Sequence, residues 1–153
     1  MEIRLATLDD ISAICLLYHE FWHYNAGLQP EYYQEATESG EYPRSVITEE
    51  KSAIFLAAEN DEIVGLIHVR ESQTLPYAPI VQHRYAEIVD FIVTAPYRTK
   101  GIGAKLMDAA KQWGKTRNLD YVELFVLSNA ERAFLFYEQK GFATVSHTMR
   151  CPL

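Results

Sequence analysis

The chain has 153 residues, of which 48% are hydrophobic and 23% charged, and carries a net charge of −7. That is enough apolar material for a single domain over residues 1–153 with a core of its own, and no stretch of about 18 apolar residues offers a membrane span. The acidic balance excludes broad nucleic-acid binding, which needs a basic face, and two cysteines, Cys15 and Cys151, are too few for a disulfide framework and point to a reducing, cytoplasmic setting.

The start, Met1 to Leu5, lacks the basic-then-apolar form of a secretion signal. Glu2 to Ala6 alternates and predicts a first strand. Thr7 with Asp10 three residues on is a capping-box variant opening a helix. Ile11, Cys15, Tyr18 and Trp22 share one face of that helix, with Ile14, Leu17 and Phe21 beside it, and Asn25-Ala26-Gly27 ends it. Residues 29–40 are polar and aromatic and read as irregular or briefly helical. Arg44 to Lys51 fits a short second helix. Ala53 to Glu59 and Glu62 to Glu71 form a hairpin through Asn60-Asp61.

Two prolines make residues 72–82 a loop. Arg84 to Val93 is the central strand, Gly101 to Thr116 a helix, Tyr121 to Val126 a buried strand, Ala130 to Gln139 a helix stopped at Gly141, and Phe142 to Met149 a last strand. No repeat or linker interrupts the pattern. The fold class expected is α/β (α+β): a mixed, largely antiparallel sheet flanked by helices, in the order β-α-α-β-β-β-α-β-α-β.

The most telling stretch joins the central strand to the helix after it: Arg98-Thr99-Lys100-Gly101-Ile102-Gly103-Ala104. A helix N-terminus has backbone N–H groups without partners, and its dipole favours negative charge. Two glycines let the backbone close on an anion. The pattern Arg-x-x-Gly-x-Gly is not a P-loop, since GxxxxGK[ST] is absent, nor a dinucleotide fingerprint, since Leu106 stands where a third small residue is needed.

This loop, the strand Tyr85 to Val93 before it and the downstream Asn129-Ala130, Phe136-Tyr137 and Lys140-Gly141-Phe142 resemble the GCN5-related N-acetyltransferase (GNAT) superfamily in order and spacing. The resemblance implies acetyl-CoA as cosubstrate, its diphosphate held by Arg98, Thr99, Lys100, Gly101, Ile102, Gly103 and Ala104. It also implies that the strand at Phe91, Ile92 and Val93 supports the pantetheine arm and offers a main-chain N–H to the carbonyl oxygen, with Asn129 either capping a helix or bonding the same arm. Many relatives dimerise, so the C-terminal segment is a candidate for pairing with a neighbour in a homodimer.

Acetyl transfer to an amine needs the nitrogen neutral. A lysine-like amine of pKa about 10.4 is neutral in roughly one molecule per thousand near pH 7.4, a deficit of roughly 4 kcal/mol. Burial or a general base must offset this. Glu87, fourteen residues before Gly101, is the first candidate, because the histone-acetylating branch of the family carries its glutamate at that spacing. Asp90 competes. In a regular strand the two would point to opposite faces, and a bulge would change that parity. Tyr137, eight residues after Asn129, is the candidate acid toward the sulfur, with aromatic packing as the plainer alternative.

For the acceptor, the segment after the first helix gathers aromatic residues (Trp22, Tyr24, Tyr33) and glutamates, which suits a cationic amine, small or peptide-borne. No metal site is expected: His19 and His23 have ligand spacing but read better as a solvated helix face. The competing function is a sensor or scaffold that binds acetyl-CoA without turnover.

Overall fold

The computed structural model describes residues 1–153. Five strands make one sheet, in the order β1 (Glu2–Leu5), β2 (Ser52–Glu59), β3 (Glu62–Gln73), β4 (Arg84–Val93) and β5 (Val122–Leu124). The first three pairings are antiparallel and β4 runs parallel to β5. The helices are α1 (Ile11–Leu28), α2 (Glu41–Thr48), α3 (Ile102–Thr116) and α4 (Glu131–Gln139).

Alternation along the strands builds two cores. Ile54, Leu56, Leu66 and Ile92 face α1 and α2, where Ile14, Leu17, Tyr18 and Val46 meet them. Val64, Ile67, Val69, Ala86 and Ile88 face α3, where Ile102, Leu106, Met107 and Ala110 are buried. Each buried Val, Leu, Ile or Met side chain contributes about 1.5–3 kcal/mol. The β2–β3 hairpin turns through Asn60 and Asp61, both at positive φ (50° and 65°), which is the conformation a two-residue type I′ turn requires. The approach to α1 is fixed by Asp10, whose carboxylate accepts from the Thr7 N–H at 2.8 Å and from two guanidinium nitrogens of Arg4 at 2.8 and 2.7 Å.

Two irregularities in β4 create the site. Opposite β3, Arg70 pairs with Glu87, Val69 with Ile88 and His68 with Asp90, so Val89 is an extra, unpaired residue. This bulge reverses the parity of a regular strand and turns Asp90 to the face that Glu87 occupies. On its other side β4 pairs with β5 only from Ala86 to Ile88. From Val89 to Val93 the two strands part, and β4 has no partner strand on that edge.

The end of the chain departs from the sequence reading. No strand forms over residues 142–149; the segment after α4 lies outside the sheet. β5 is also three residues rather than the six of Tyr121 to Val126, and Phe125 is 71% exposed rather than buried. Alternation suggests a strand here, but a strand needs a paired edge, and this tail pairs with no strand of its own chain. α2 begins at Glu41, earlier than Arg44, because Gly40 at φ 91° supplies the turn into it.

Candidate active site

The loop between β4 and α3 is built to hold an anion. Thr99 (φ 66°) and Gly101 (φ 81°) are both left-handed, which curls the backbone before α3 starts. The first intrahelical bond is Lys105 N–H to Gly101 O, so the N–H groups of Gly101, Ile102, Gly103 and Ala104 are left without partners. The first turn of α3 carries no acidic residue. A Cβ on Gly103 would stand 3.2 Å from Phe91 Cζ and 3.6 Å from the Phe136 ring, so glycine lets the loop lie close on this aromatic floor. Above Gly101 there is open space. Lys100 lies with Nζ 4.7 Å from the Tyr97 ring centre.

Arg98 takes a different place from the one the motif suggests. Its Nε donates to Val93 O at 2.7 Å and its Nη2 to Glu20 Oε1 at 3.1 Å, while the same Glu20 oxygen accepts from Ala95 N–H at 3.0 Å. Arg98 therefore braces the loop against β4 and α1. Glu20, on a helix face that looked merely solvated, was not identified from sequence.

Tyr137 lies in α4 beside the parted strands. Phe91, Phe136 and Phe142 surround its ring at centroid distances of 6.2, 5.6 and 5.8 Å. Burial pushes its phenol up to about 12, and the hydroxyl has no hydrogen-bond partner in the chain. Asn129 does not cap α4, whose N-cap is Ala130. Its Nδ2 donates to Leu28 O at 2.6 Å and its Oδ1 accepts from Gln29 at 3.2 Å, tying the end of α1 to the β5–α4 loop.

On the α1/α2 face stand the two carboxylates. Glu87 Oε2 accepts from Arg70 Nε and Ser72 Oγ, both at 2.7 Å. Burial alone would raise its carboxyl, but these two bonds outweigh it and hold the pKa below the ordinary value. Asp90 is met by hydroxyls and an imidazole instead of a fixed cation. Its Oδ2 accepts from Tyr18 at 3.0 Å and Tyr42 at 3.2 Å, and His68 Nδ1 lies 3.3 Å away. Asp90 Oδ1 makes no bond within the chain. Burial raises the phenols of Tyr18 and Tyr42, and the Asp90 charge adds to it, so both remain donors. His68 is 2% exposed and its Nε2 has no partner.

This cluster was only partly legible. Tyr18 reads as a core residue of an amphipathic helix, and it is one by burial. The signal for His68 and Arg70 was alternation in the hairpin, which puts both on the face of β3 that carries Leu66; the bulge at Val89 then turns both carboxylates to that face. Trp22 stacks on Tyr18 at 5.6 Å, which brings it to the rim of this cluster. Tyr24 is 38% exposed beneath the Arg98 guanidinium. Tyr33 is half-buried in the segment after α1, and no bond joins it to the carboxylates. His23 pairs with Glu35 at 2.6 Å.

The acetyltransferase (GNAT) family model matches residues 14–142. An uncharacterised N-acetyltransferase of Archaeoglobus fulgidus is 29% identical over 137 residues, covering 90% of this chain and 89% of its own. A second, YhdJ of Bacillus subtilis, is 32% identical over 108 residues, 70% of this chain and 72% of its own. The x-ray structure of a tetramutant of the BH1408 protein from Bacillus halodurans superposes with a TM-score of 0.94 at 26% identity, over 100% of both chains. The order of strands and helices, the glycine loop at the start of α3 and these likenesses agree: the chain belongs to the GNAT family of N-acetyltransferases.

Proposed function

We propose that residues 1–153 act as one catalytic domain that transfers the acetyl group of acetyl-CoA to a primary amine, small or peptide-borne, by direct attack in a ternary complex. The observation that carries this reading is the parting of β4 from β5 after Ile88, immediately beside the unpaired N–H groups of Gly101 to Ala104. A diphosphate fits that turn, and an extended pantetheine fits the open edge of β4 as a strand would. Gly103 supports the fit, because a side chain there would press on Phe91, 3.2 Å from its Cβ. When bound, acetyl-CoA supplies an activated acyl carbon.

The chain's own groups supply the rest. The N–H groups of β4 that face away from β3 between Phe91 and Val93 are available to polarise a carbonyl oxygen. Asp90, with Oδ1 unengaged, takes the proton of the incoming ammonium. Its hydroxyl neighbours fix its position without cancelling its charge. Glu87 is a weaker base, because Arg70 already neutralises it; its part is to hold the cationic acceptor near Asp90. Tyr137 donates a hydrogen bond to the departing sulfur. Full transfer from a phenol at about 12 to a thiolate of about 8.5 is uphill by roughly 5 kcal/mol, so the bond stabilises charge and the proton arrives later from solvent.

The aromatic rim of Trp22 and Tyr42 beside Asp90 supports a cationic acceptor. Thiol release from acetyl-CoA, followed over a panel of cationic and neutral amines, tests the reading. Turnover with cationic amines, lost in Asp90→Asn, is expected. Tight CoA binding with no turnover on any acceptor would favour a sensor instead.

A further inference from the structure

His68 stands in the middle of the sheet, paired with Ile54 of β2 on one side and with Asp90 of β4 on the other. Its side chain is buried, and the Tyr42 ring lies edge-on to it at 6.0 Å between centroids. A polar ring in such a place costs stability unless its nitrogens find partners. Only one does. Nδ1 lies 3.1 Å from the Tyr42 hydroxyl oxygen and 3.3 Å from Asp90 Oδ2, whereas Nε2 meets no polar atom.

That asymmetry decides where the ring carries its hydrogen. A hydrogen on Nε2, in the neutral ring or in the cation, would be a buried donor with no acceptor. In the neutral Nε2–H form, Nδ1 would also have to accept, and the donor in reach is the Tyr42 hydroxyl. Its single proton would then be taken from Asp90, which is 3.2 Å away. With the hydrogen on Nδ1, the buried Nε2 holds only a lone pair, the lesser defect. The Tyr42 proton stays on Asp90, and Nδ1–H joins it there. Three donors from three elements then converge on one oxygen, Oδ2: Tyr18 of α1, Tyr42 of α2 and His68 of β3.

We propose that His68, held as its Nδ1–H tautomer, is the positioning residue of the base: it donates to Asp90 Oδ2 and so turns Oδ1 toward the acceptor. This role rests on the reading of Asp90 as the base. Tyr18 and Tyr42 reach Asp90 from helices laid on the sheet, and their hydroxyls rotate freely. The imidazole N–H has a fixed direction, and its backbone is paired directly with that of Asp90. It is therefore the donor that sets the rotation of the carboxylate. A proton passed from the incoming ammonium to Oδ1 leaves all three bonds to Oδ2 in place, so the base is charged and discharged without rearrangement.

Two-bond proton–nitrogen NMR of the unaltered protein at neutral pH reads the tautomer directly. His68 is identified among the five histidines by the signal that His68→Leu removes. The expected spectrum has a pyrrole-type nitrogen at Nδ1 and a pyridine-type nitrogen at Nε2, the reverse of the form a solvated histidine prefers. It should persist in Tyr42→Phe, where Asp90 still accepts. In kinetics, His68→Leu should lower kcat about 10–100-fold, the range for a lost hydrogen bond to a charged group, with the KM for acetyl-CoA unchanged. His68→Asn, whose amide nitrogen falls where Nδ1 stood, should recover most of that rate. His68→Gln, whose amide nitrogen falls where Nε2 stood, should not. An Nε2–H ring in the unaltered protein, or equal rates for the Leu and Asn variants, would overturn the proposal. Undiminished turnover in Asp90→Asn would overturn the reading of the base and with it the role of His68, even with the tautomer as expected.

Discussion

Glu87 and Asp90 face the same side of β4, because Val89 is left unpaired between the residues that oppose Val69 and His68. One extra residue thus places two carboxylates on the same face of β4, one matched to Arg70 and one to hydroxyls. The difference in partners separates their roles. Asp90→Asn should lower kcat/KM by about 10²–10³-fold, within the usual range for a lost general base. Its residual rate should climb about tenfold per pH unit toward the pKa of the amine, near 10.4, because the amine must then lose its proton unaided. Glu87→Gln should act chiefly on the KM of the amine. Initial rates across pH for both variants check this.

Tyr137→Phe removes a hydrogen-bond donor and leaves the aromatic packing with Phe91, Phe136 and Phe142 in place. A fall in kcat of about 10–100-fold is expected, with the KM for acetyl-CoA little changed. Because burial keeps the phenol at about 12, the wild-type rate should show no tyrosine ionisation below pH 10. Steady-state kinetics in both substrates measures the split.

The two loop glycines should fail differently. Gly103→Ala drives a Cβ to 3.2 Å from Phe91 and should raise the KM for acetyl-CoA about tenfold by lifting the first turn of α3. Gly101→Ala meets no atom but must hold φ 81°, which costs about 1–2 kcal/mol. It should therefore appear in thermal melts as well as in KM.

What the sequence made legible follows from how local each determinant is. β4, the hairpin and α3 were set by short-range periodicity and turn chemistry, and they appear within a residue or two of their expected bounds. The shared face of Glu87 and Asp90 was not legible, because a bulge is a property of two strands and neither strand alone marks Val89 as the extra residue. Tyr18 and Tyr42 look apolar in pattern; only the tertiary fold brings their hydroxyls to Asp90. Arg98 matched the motif, yet Glu20 of α1 and the Val93 carbonyl hold its guanidinium. The tail alternates as a strand does, but pairing depends on an edge that pattern cannot supply.

Asp10 tests the fold itself. Hydrogen bonds from Arg4 hold its carboxyl far below the ordinary range against the opposing effect of burial. A depressed folded-state pKa stabilises above the unfolded value, near 3.9, and the gain disappears as pH falls through the folded value. Asp10→Asn should cost about 2 kcal/mol at pH 7, and its deficit against wild type should shrink only below about pH 4. Denaturant unfolding at several pH values follows it.

The most direct measurement is calorimetric titration of coenzyme A into the purified protein, alongside Gly103→Val. One site per chain with a micromolar dissociation constant, weakened at least tenfold in the variant, is the predicted result. No heat of binding to the unaltered protein, or equal affinity in both, would contradict the assignment of the β4–α3 loop and the parted strands as the donor site.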